Sequence, residues 1–323
     1  MTGRRCAVVA QAGFCFSVIL VVVFCSGVIA CAASGEETET EKHNQDAGAS
    51  DDSGAKELRR GEIDRTNREL KIIQAAILEG LKGKGVVPPS DMGLIPSGTF
   101  IMGLDETDIP GLKPAHRVYL DAYWIDQFLV TNAAYRVCVE AHVCRPPMDR
   151  PGGFLNRKAY HDNPEFDKFP VNYVRHEHAV VYCQWAEKRL PSEAEWEKAA
   201  RGDDGRLYPW GDEVPERFRE TDSKFLSVPQ VYPVGSMPEF ASPYGVMDMG
   251  GSMWEWVADS YSGDYYANGS VVNPKGPQAH MTKVKRGGDH FILTPWAVVR
   301  SPEWTRDSNP NVGFRCAKDL TIP

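Results

Sequence analysis

No tryptophan or tyrosine precedes Tyr119, although the whole 323-residue chain has 8 Trp and 12 Tyr. Large aromatic side chains supply much of the area that a core buries, so the early part of the chain is poorly equipped to form a domain. Length alone would allow two average domains. The distribution instead predicts one large domain over residues 90–320, preceded by segments that target and tether it.

The chain also lacks an excess of positive charge. Its 36 Lys and Arg face 44 Asp and Glu, which gives a formal net charge of −8 at pH 7, and the basic residues are scattered. Proteins that bind nucleic acid neutralise phosphates with clustered Lys and Arg. We therefore expect no nucleic-acid partner, and the acidity favours solubility.

Residues 1–31 have the parts of a secretory signal. Arg4 and Arg5 precede a long apolar run, and small residues follow it. The segment Val28-Ile-Ala-Cys31 also resembles a bacterial lipobox, whose cysteine becomes the lipid-modified first residue. We expect an exported protein, periplasmic or at the cell surface, anchored to the membrane by lipid on Cys31. Plain cleavage near Cys31 and an uncleaved anchor remain alternatives, because the apolar run is nearly long enough to span a bilayer.

Two segments of different character separate this signal from the domain. Residues 32–55 are polar and acidic, so they cannot bury enough surface to offset their ordering entropy, which predicts a disordered tether. Residues 56–86 place Leu58, Ile63 and Leu70, with further apolar residues, at spacings near three and four, which predicts an amphipathic helix. That helix either docks on the domain or binds a partner helix.

The domain mixes short strand and helix patterns with many turns, as 29 Gly and 23 Pro indicate. Alternation over 116–126 predicts a strand, and helical spacing predicts helices over 131–141, 174–188 and 191–201. The fold class is therefore α+β, with little regular secondary structure.

The helix over 191–201 has the clearest start. Ser192 and Glu195 have the spacing of a capping box. Farther along this helix, the alternation of apolar and charged residues predicts that Glu193, Glu197 and Lys198 face water.

Six short motifs follow one another along the domain. They are Ile95-Pro-Ser-Gly-Thr-Phe-Ile-Met-Gly103, Arg189-Leu-Pro-Ser-Glu-Ala-Glu-Trp-Glu197, Tyr208-Pro-Trp-Gly211, Tyr244-Gly-Val-Met-Asp-Met-Gly-Gly-Ser-Met-Trp-Glu-Trp256, Arg286-Gly-Gly288 and Gly313-Phe-Arg-Cys316. Any one would be a weak signal, but six in order are specific. Through them the domain resembles the formylglycine-generating enzyme (sulfatase-modifying factor) family. The resemblance implies that family's irregular α+β fold, which is related to C-type lectin domains.

The resemblance also implies a calcium site. Family members bind Ca²⁺ with the segment that corresponds to Asp248 through Glu255. The matching ligands in this chain are the carboxylates of Asp248 and Glu255 and the backbone carbonyls of Gly251 and Met253. Hard oxygen ligands of this kind suit Ca²⁺.

The end of the same segment has the pattern of a strand. Trp254 and Trp256 would share one face of that strand, and Glu255 would point to the other. A carboxylate placed there needs a cation or a hydrogen-bond donor.

Four cysteines, Cys138, Cys144, Cys183 and Cys316, lie in the domain. An even number in an exported protein predicts disulfides, and spacing alone leaves three pairings open. The resemblance implies that Cys183 pairs with Cys316, as in the family, which leaves Cys138 with Cys144.

The catalytic cysteine pair of the family is missing. Aerobic members hold copper with two cysteines shortly after the Arg-Gly-Gly motif, and soft thiolates are what monovalent copper prefers. The corresponding stretch here contains no cysteine, so neither copper nor formylglycine formation is expected. Asp289 and His290, after the Gly-Gly turn, and His176 and His178, which flank Glu177, are weak candidates for a changed metal centre.

Three functions follow from these observations. The first is a pseudoenzyme, a non-catalytic lipoprotein that binds or scaffolds a protein or peptide ligand. The second is an oxidoreductase of the family with a changed metal centre, and the third is a lectin-like sugar binder, which rests on fold analogy alone. The missing cysteines favour the first. Trp254, Trp296 and Trp304 are candidates to line the ligand groove, with burial in the core as the alternative.

Overall fold

A computed structural model describes residues 49–109, 111–148, 159–213, 215, 231–278, 280–288 and 297–321. Contacts between residues divide the chain into two compact units, Met1–Ser50 and Asp51–Pro323. All elements described below lie in the second unit, except that the first helix begins two residues before it. The signal sequence, most of the tether, Cys31, Asp289, His290 and Trp296 lie outside the described residues.

The described chain combines short strands with five α-helices and two short 3-10 helices, Pro164–Phe166 and Pro238–Phe240. The α-helices are α1 (Ala49–Gly83), α2 (Asn132–Glu140), α3 (His176–Trp185), α4 (Glu193–Arg201) and α5 (Tyr265–Asn268). The strands are β1 (Met92–Ile95), β2 (Gly98–Met102), β3 (His116–Leu120), β4 (Tyr123–Asp126), β5 (Trp254–Ser260), β6 (Thr282–Arg286), β7 (Arg300–Trp304), β8 (Val312–Phe314) and β9 (Ala317–Asp319). The predicted α+β class is confirmed.

The strands form three small sheets. Their orders are β1-β4-β9, β2-β3 and β7-β6-β5-β8. All described strand pairs are antiparallel except β5 with β8, which run parallel. The four-stranded sheet places three of the sequence motifs side by side, because β5, β6 and β8 carry parts of the Trp-Glu-Trp, Arg-Gly-Gly and Gly-Phe-Arg-Cys segments.

Helix α1 starts at Ala49 rather than at residue 56, so the last part of the predicted tether is helical instead. It docks on the domain, because Ile63 and Leu70 are buried. Arg59 Nε lies 2.7 Å from Asp212 Oδ2. These contacts bear out the docking alternative. Among the described residues, no helix is both long and apolar enough to cross a membrane.

Helix α4 is buried on all sides. It contacts β2 and β3 of the two-stranded sheet and β5 and β6 of the four-stranded sheet. The prediction that Glu193, Glu197 and Lys198 face water is therefore wrong: each is at most 1% exposed. Their charges are matched inside the domain, and Lys198 Nζ donates to the carbonyl oxygens of Pro96 and Gly98 at 2.9 and 3.0 Å.

The start of α4 agrees with the prediction. Ser192 Oγ accepts the N–H of Glu195 at 3.2 Å, and Glu195 Oε2 accepts the N–H of Ser192 at 2.7 Å. This reciprocal pair is the predicted capping box.

Both predicted disulfides are confirmed. Cys183 of α3 is bonded to Cys316, between β8 and β9, and Cys138 of α2 is bonded to Cys144 just beyond that helix. The first closes a loop of 133 residues, which in the chain-entropy account stabilises a fold by about 5 kcal/mol. It also fixes α3 against the end of β8.

Candidate functional site

Strand β5 lies at the centre of the candidate site. Glu255 is paired with Arg286 of β6 on one side and with Gly313 of β8 on the other. Successive side chains of a strand point to opposite faces, so Trp254 and Trp256 share one face and Glu255 points to the other. The predicted strand is confirmed.

Arg315 and Trp196 hold the Glu255 carboxylate. Arg315 Nε donates to Oε2 at 2.6 Å and Arg315 Nη2 to Oε1 at 2.8 Å. Trp196 Nε1 donates to Oε2 at 2.9 Å. All three side chains are fully buried. Burial alone would lower the pKa of Arg315, and Glu255 opposes this and raises it above its usual value.

Asp248 is the second carboxylate near Arg315. Its residue has φ +64°, and its Oδ2 accepts the N–H of Gly235 at 2.8 Å. Burial raises the pKa of Asp248, the Gly235 bond and Arg315 lower it, and Glu255 raises it again. The fully buried Glu255 thus forms the ion pair with Arg315, and the partly buried Asp248 has no ion pair of its own among the described residues. One negative charge is therefore unmatched when both carboxylates are ionised.

The turn between these carboxylates packs against the Arg-Gly-Gly motif. The N–H of Gly251 donates to the carbonyl of Gly287 at 3.1 Å. Gly287 has φ +95°, and a Cβ there would lie 3.1 Å from Trp196 and 3.3 Å from the Met253 carbonyl. A glycine is therefore required where these segments meet.

The chemistry of this turn fits a hard cation. Asp248 contributes a carboxylate oxygen that accepts no hydrogen bond from the described residues, and backbone carbonyls of Gly251 and Met253 flank it in sequence. The described residues contain no group of three or more His, Cys, Asp and Glu suited to a metal. Any cation at this turn would therefore depend on backbone carbonyls and water for most of its ligands.

A second charged cluster lies behind the Arg-Gly-Gly turn. Arg286 Nη2 lies 2.6 Å from Glu197 Oε2, and Arg201 Nη1 lies 2.6 Å from Glu197 Oε1. Arg300 Nε lies 2.6 Å from Glu193 Oε1. Burial alone would raise the pKa of Glu197, and Arg286 and Arg201 hold it below its usual value. These ion pairs were not predicted from the sequence, because the spacing of the charged residues in α4 predicted a solvent-exposed face.

Asp259 adjoins this cluster at the end of β5. Its Oδ2 accepts the N–H of Glu193, the first residue of α4, at 2.8 Å. Burial, and then the charge of Glu193, raise the pKa of Asp259 to about 7.

Of the candidate groove tryptophans, Trp254 and Trp304 belong to the described residues and lie in different surroundings. Trp254 is 5% exposed and belongs to the core, where Lys285 Nζ lies 4.9 Å from the centre of its ring. The groove assignment of Trp254 is therefore wrong, and its burial is the alternative that holds. Trp304 is 44% exposed at the end of the outermost strand β7. Its role in ligand contact stays a prediction.

The two histidines around Glu177 point to different surroundings. His176 Nε2 is 2.9 Å from the carbonyl of Val257, and burial lowers its pKa to about 4. His178 lies two residues farther along α3, and neither of its ring nitrogens has a hydrogen-bond partner in the described part of the chain. They do not form a shared metal site.

The domain that carries this site is similar to known proteins. Residues 80–320 match the family described as "Sulfatase-modifying factor enzyme 1-like domain". The chain belongs to the sulfatase-modifying factor family. The matched residues contain all six motifs, so the predicted family is confirmed together with the irregular fold.

Relatives in this family named formylglycine-generating enzyme include those of Bos taurus and Streptomyces coelicolor. The Bos taurus protein is 30% identical, and the match covers 72% of this chain and 75% of the relative. The Streptomyces coelicolor protein is 31% identical, and the match covers 74% of this chain and 93% of the relative.

A solved structure shares the fold. The structure of PvdO from Pseudomonas aeruginosa has a TM-score of 0.58 and 24% identity, and the match covers 71% of this chain and 94% of that chain. All these matches leave out more than a quarter of this chain, and the family match begins at residue 80, near the end of α1. Most of α1 is thus an addition to the shared domain.

Proposed function

We propose that this protein is an exported lipoprotein whose sulfatase-modifying factor domain binds a ligand and does not form formylglycine. The observation that carries the proposal is the state of its cysteines. The chain has eight, of which four lie at or before Cys31, and the four in the domain form two disulfides. The domain therefore keeps no free thiolate.

A free thiolate pair is what the copper chemistry of the family requires. Monovalent copper prefers soft sulfur ligands, and a carboxylate with a single imidazole does not reproduce a pair of thiolates. The segment after the Arg-Gly-Gly motif offers Asp289 and His290 instead. In this proposal the domain keeps the family's architecture, including the Glu255–Arg315 pair, as a scaffold for a ligand surface.

An activity assay tests the non-catalytic role. The purified domain is incubated with a cysteine-containing sulfatase peptide, copper and oxygen, and the peptide is analysed by mass spectrometry. We expect no aldehyde, while the Streptomyces coelicolor relative serves as the positive control. Free-thiol labelling of the folded domain should find no reactive cysteine. Aldehyde formed in proportion to the amount of protein would contradict the proposal.

The lipid anchor is tested separately. Cys31→Ser should release the protein from the membrane fraction or stall its processing, because Cys31 would be the modified residue. Cys25→Ser, in the same apolar segment, is the matched control and should leave fractionation unchanged. Membrane association that survives in the Cys31 variant, with the N-terminal segment still attached, would favour an uncleaved anchor.

The second candidate function is an oxidoreductase of the family with a changed metal centre, acting on a protein or a small molecule. It is favoured by identities of about one third to relatives named formylglycine-generating enzymes. Metal analysis of the purified domain distinguishes the two functions. Calcium alone supports the binding protein, and stoichiometric copper or iron supports the enzyme.

A further inference from the structure

The first turn of α3 carries two basic side chains with buried polar atoms that have no hydrogen-bond partner among the described residues. His178 is 7% exposed, and neither its Nδ1 nor its Nε2 is paired there. The same holds for the buried Nε of Arg175, the residue at the N-cap. Buried polar atoms are nearly always paired in native proteins, so these neighbouring nitrogens are suited to pair with a polar ligand.

The position of the Glu177 carboxylate indicates where the negatively charged group of such a ligand would bind. Its Oε1 is 3.6 Å from His178 Nε2 and 3.8 Å from Arg175 Nη1, so both basic groups approach one point. Both distances are too long for hydrogen bonds. The Glu177 side chain is 65% exposed, and it is therefore a loose counter-ion that another carboxylate can displace.

The backbone favours an anion at the same place. Helix α3 is ten residues long, and its N-cap residue makes no side-chain hydrogen bond to the first turn. Within the described residues, the N–H groups of His176 and Glu177 donate to no acceptor. Free amides and the positive end of the helix dipole together bind carboxylates and other anions.

A further basic residue is held nearby by the short disulfide. Arg145 follows Cys144 directly, and its carbonyl accepts a hydrogen bond from Tyr135 Oη at 3.0 Å. Its charge acts on His178, as does that of Arg175. The charged groups that face His178 are thus two cations, Arg145 and Arg175, and one anion, Glu177.

We propose that the first turn of α3 is a carboxylate-binding site in which Arg175, His178 and the free amides replace Glu177 with a carboxylate from outside. The carboxylate belongs to a small organic acid or to an acidic peptide side chain. Since the site does not involve the Arg-Gly-Gly turn, the inference is independent of whether the domain is catalytic.

His178 makes this binding sensitive to pH. Burial lowers the pKa of His178, with Arg145 and Arg175 adding to the effect and Glu177 opposing it. A bound carboxylate favours the protonated imidazole. By linkage, binding strengthens as pH falls, and the ligand raises the pKa of His178.

The test is a titration of the full domain with acetate, followed by the NMR signals of the histidine rings. Acetate should shift the His178 signals and raise the pKa of this residue, while His280, which is exposed on another loop, should not respond. His178→Gln should weaken binding by about tenfold, because a charge-assisted hydrogen bond is lost. His280→Gln is the matched control and should bind like the wild type.

A second variant keeps the test decisive if His178→Gln does not fold. Glu177→Gln changes an exposed side chain and removes the competing carboxylate, so acetate should bind about fivefold more tightly. A short peptide of glutamates provides the other arm: much tighter binding than acetate identifies a peptide ligand, and equal binding identifies a small acid. The absence of a His178 response to acetate and peptide in both the wild type and Glu177→Gln would overturn the proposal.

Discussion

The domain contains two buried groups of charged side chains that differ in how their charges add up. Behind the Arg-Gly-Gly turn, Glu193 and Glu197 face three guanidinium groups, those of Arg201, Arg286 and Arg300. Beside the β5 strand, Arg315 Nε lies 2.6 Å from Glu255 Oε2, and the charge of the same guanidinium lowers the pKa of Asp248 without forming an ion pair with it among the described residues. The indole of Trp196 lies between the groups, since it donates to Glu255 and stacks 5.3 Å from the Arg286 guanidinium.

The two groups differ in whether their charges are balanced within the domain. The first group has enough cations to neutralise its carboxylates, and Asp259 can supply a further negative charge. Such a group needs nothing from outside. The Asp248 carboxylate of the second group is partly buried and has no ion pair among the described residues, which is unfavourable unless it is protonated or paired with a cation. Both oxygens of Glu255 already accept hydrogen bonds from Arg315 and Trp196, so Glu255 is not available as the calcium ligand that the family resemblance implied. We propose that a calcium ion bound by Asp248, with the Gly251 and Met253 carbonyls, removes the imbalance.

The largest expected effect comes from removing a carboxylate from the first group, whose charges are balanced within the domain. Glu197→Gln leaves Arg286 and Arg201 without their shared carboxylate in a fully buried place, which should lower the free energy of unfolding by about 3–5 kcal/mol. Denaturant unfolding measures it. Glu213→Gln removes a carboxylate from an exposed pair with Arg60 and should cost less than about 1 kcal/mol. Equal losses in the two variants would mean that burial does not distinguish these pairs.

The calcium proposal predicts the next largest effect. At a free calcium concentration of about one hundred times Kd, binding would add about 2.7 kcal/mol to the free energy of unfolding. Chelation should therefore lower the Tm by about 5–10 °C. Asp248→Asn should remove most of this response, whereas Asp264→Asn, at an exposed carboxylate, should keep it. If chelation does not change the wild-type melting curve, the charge of Asp248 is compensated by something other than calcium.

The smallest effect concerns Asp259 and pH. Its folded pKa of about 7 lies above the ordinary value of 3.8, so the folded state holds a proton that the unfolded state has lost. The contribution of the Asp259 carboxyl to the free energy of unfolding is fully present below its unfolded pKa and is lost as the pH rises towards 7. Between about pH 5.5 and 6.5 the free energy of unfolding should fall by about 1 kcal/mol from this group.

Asp259→Asn checks this assignment. An asparagine oxygen can still accept the Glu193 N–H but does not titrate, so the contribution of this group to the pH slope should vanish. Asp264→Asn should retain the wild-type slope. If Asp259→Asn kept the full slope, the titrating group in this range would lie elsewhere, and the first cluster would not depend on Asp259 for its charge balance.

Several features of the site were predictable from sequence because they depend on neighbours in the chain or on family motifs. The capping box needs only Ser192 and Glu195, three positions apart. The alternation of β5 placed Glu255 opposite its flanking tryptophans, and the need for a cation followed from burial. The residue that supplies this cation could not be predicted from the sequence. Arg315 lies 60 positions from Glu255 and reaches it only through the parallel pairing of β5 with β8.

The errors have the same origin. The charged residues of α4 have the spacing of a solvent-facing stripe, and helix periodicity assigns such a stripe to water. In the structure Glu197 finds Arg286, 89 positions away. Trp254, assigned to a groove, is covered by strands and helices from other parts of the chain. The helix α1 was expected to begin at residue 56, but polar residues from Ala49 onward continue it.

The sequence by itself determined the family, the two disulfides that the resemblance implied, and the absence of cysteine between the Arg-Gly-Gly motif and Cys316. These depend on which residues are present and in what order. Only the tertiary structure decided which charges are buried and how they are matched. The physical reason is that a buried charge is stabilised by partners within a few ångströms, and those partners come from distant parts of the chain that only folding brings together.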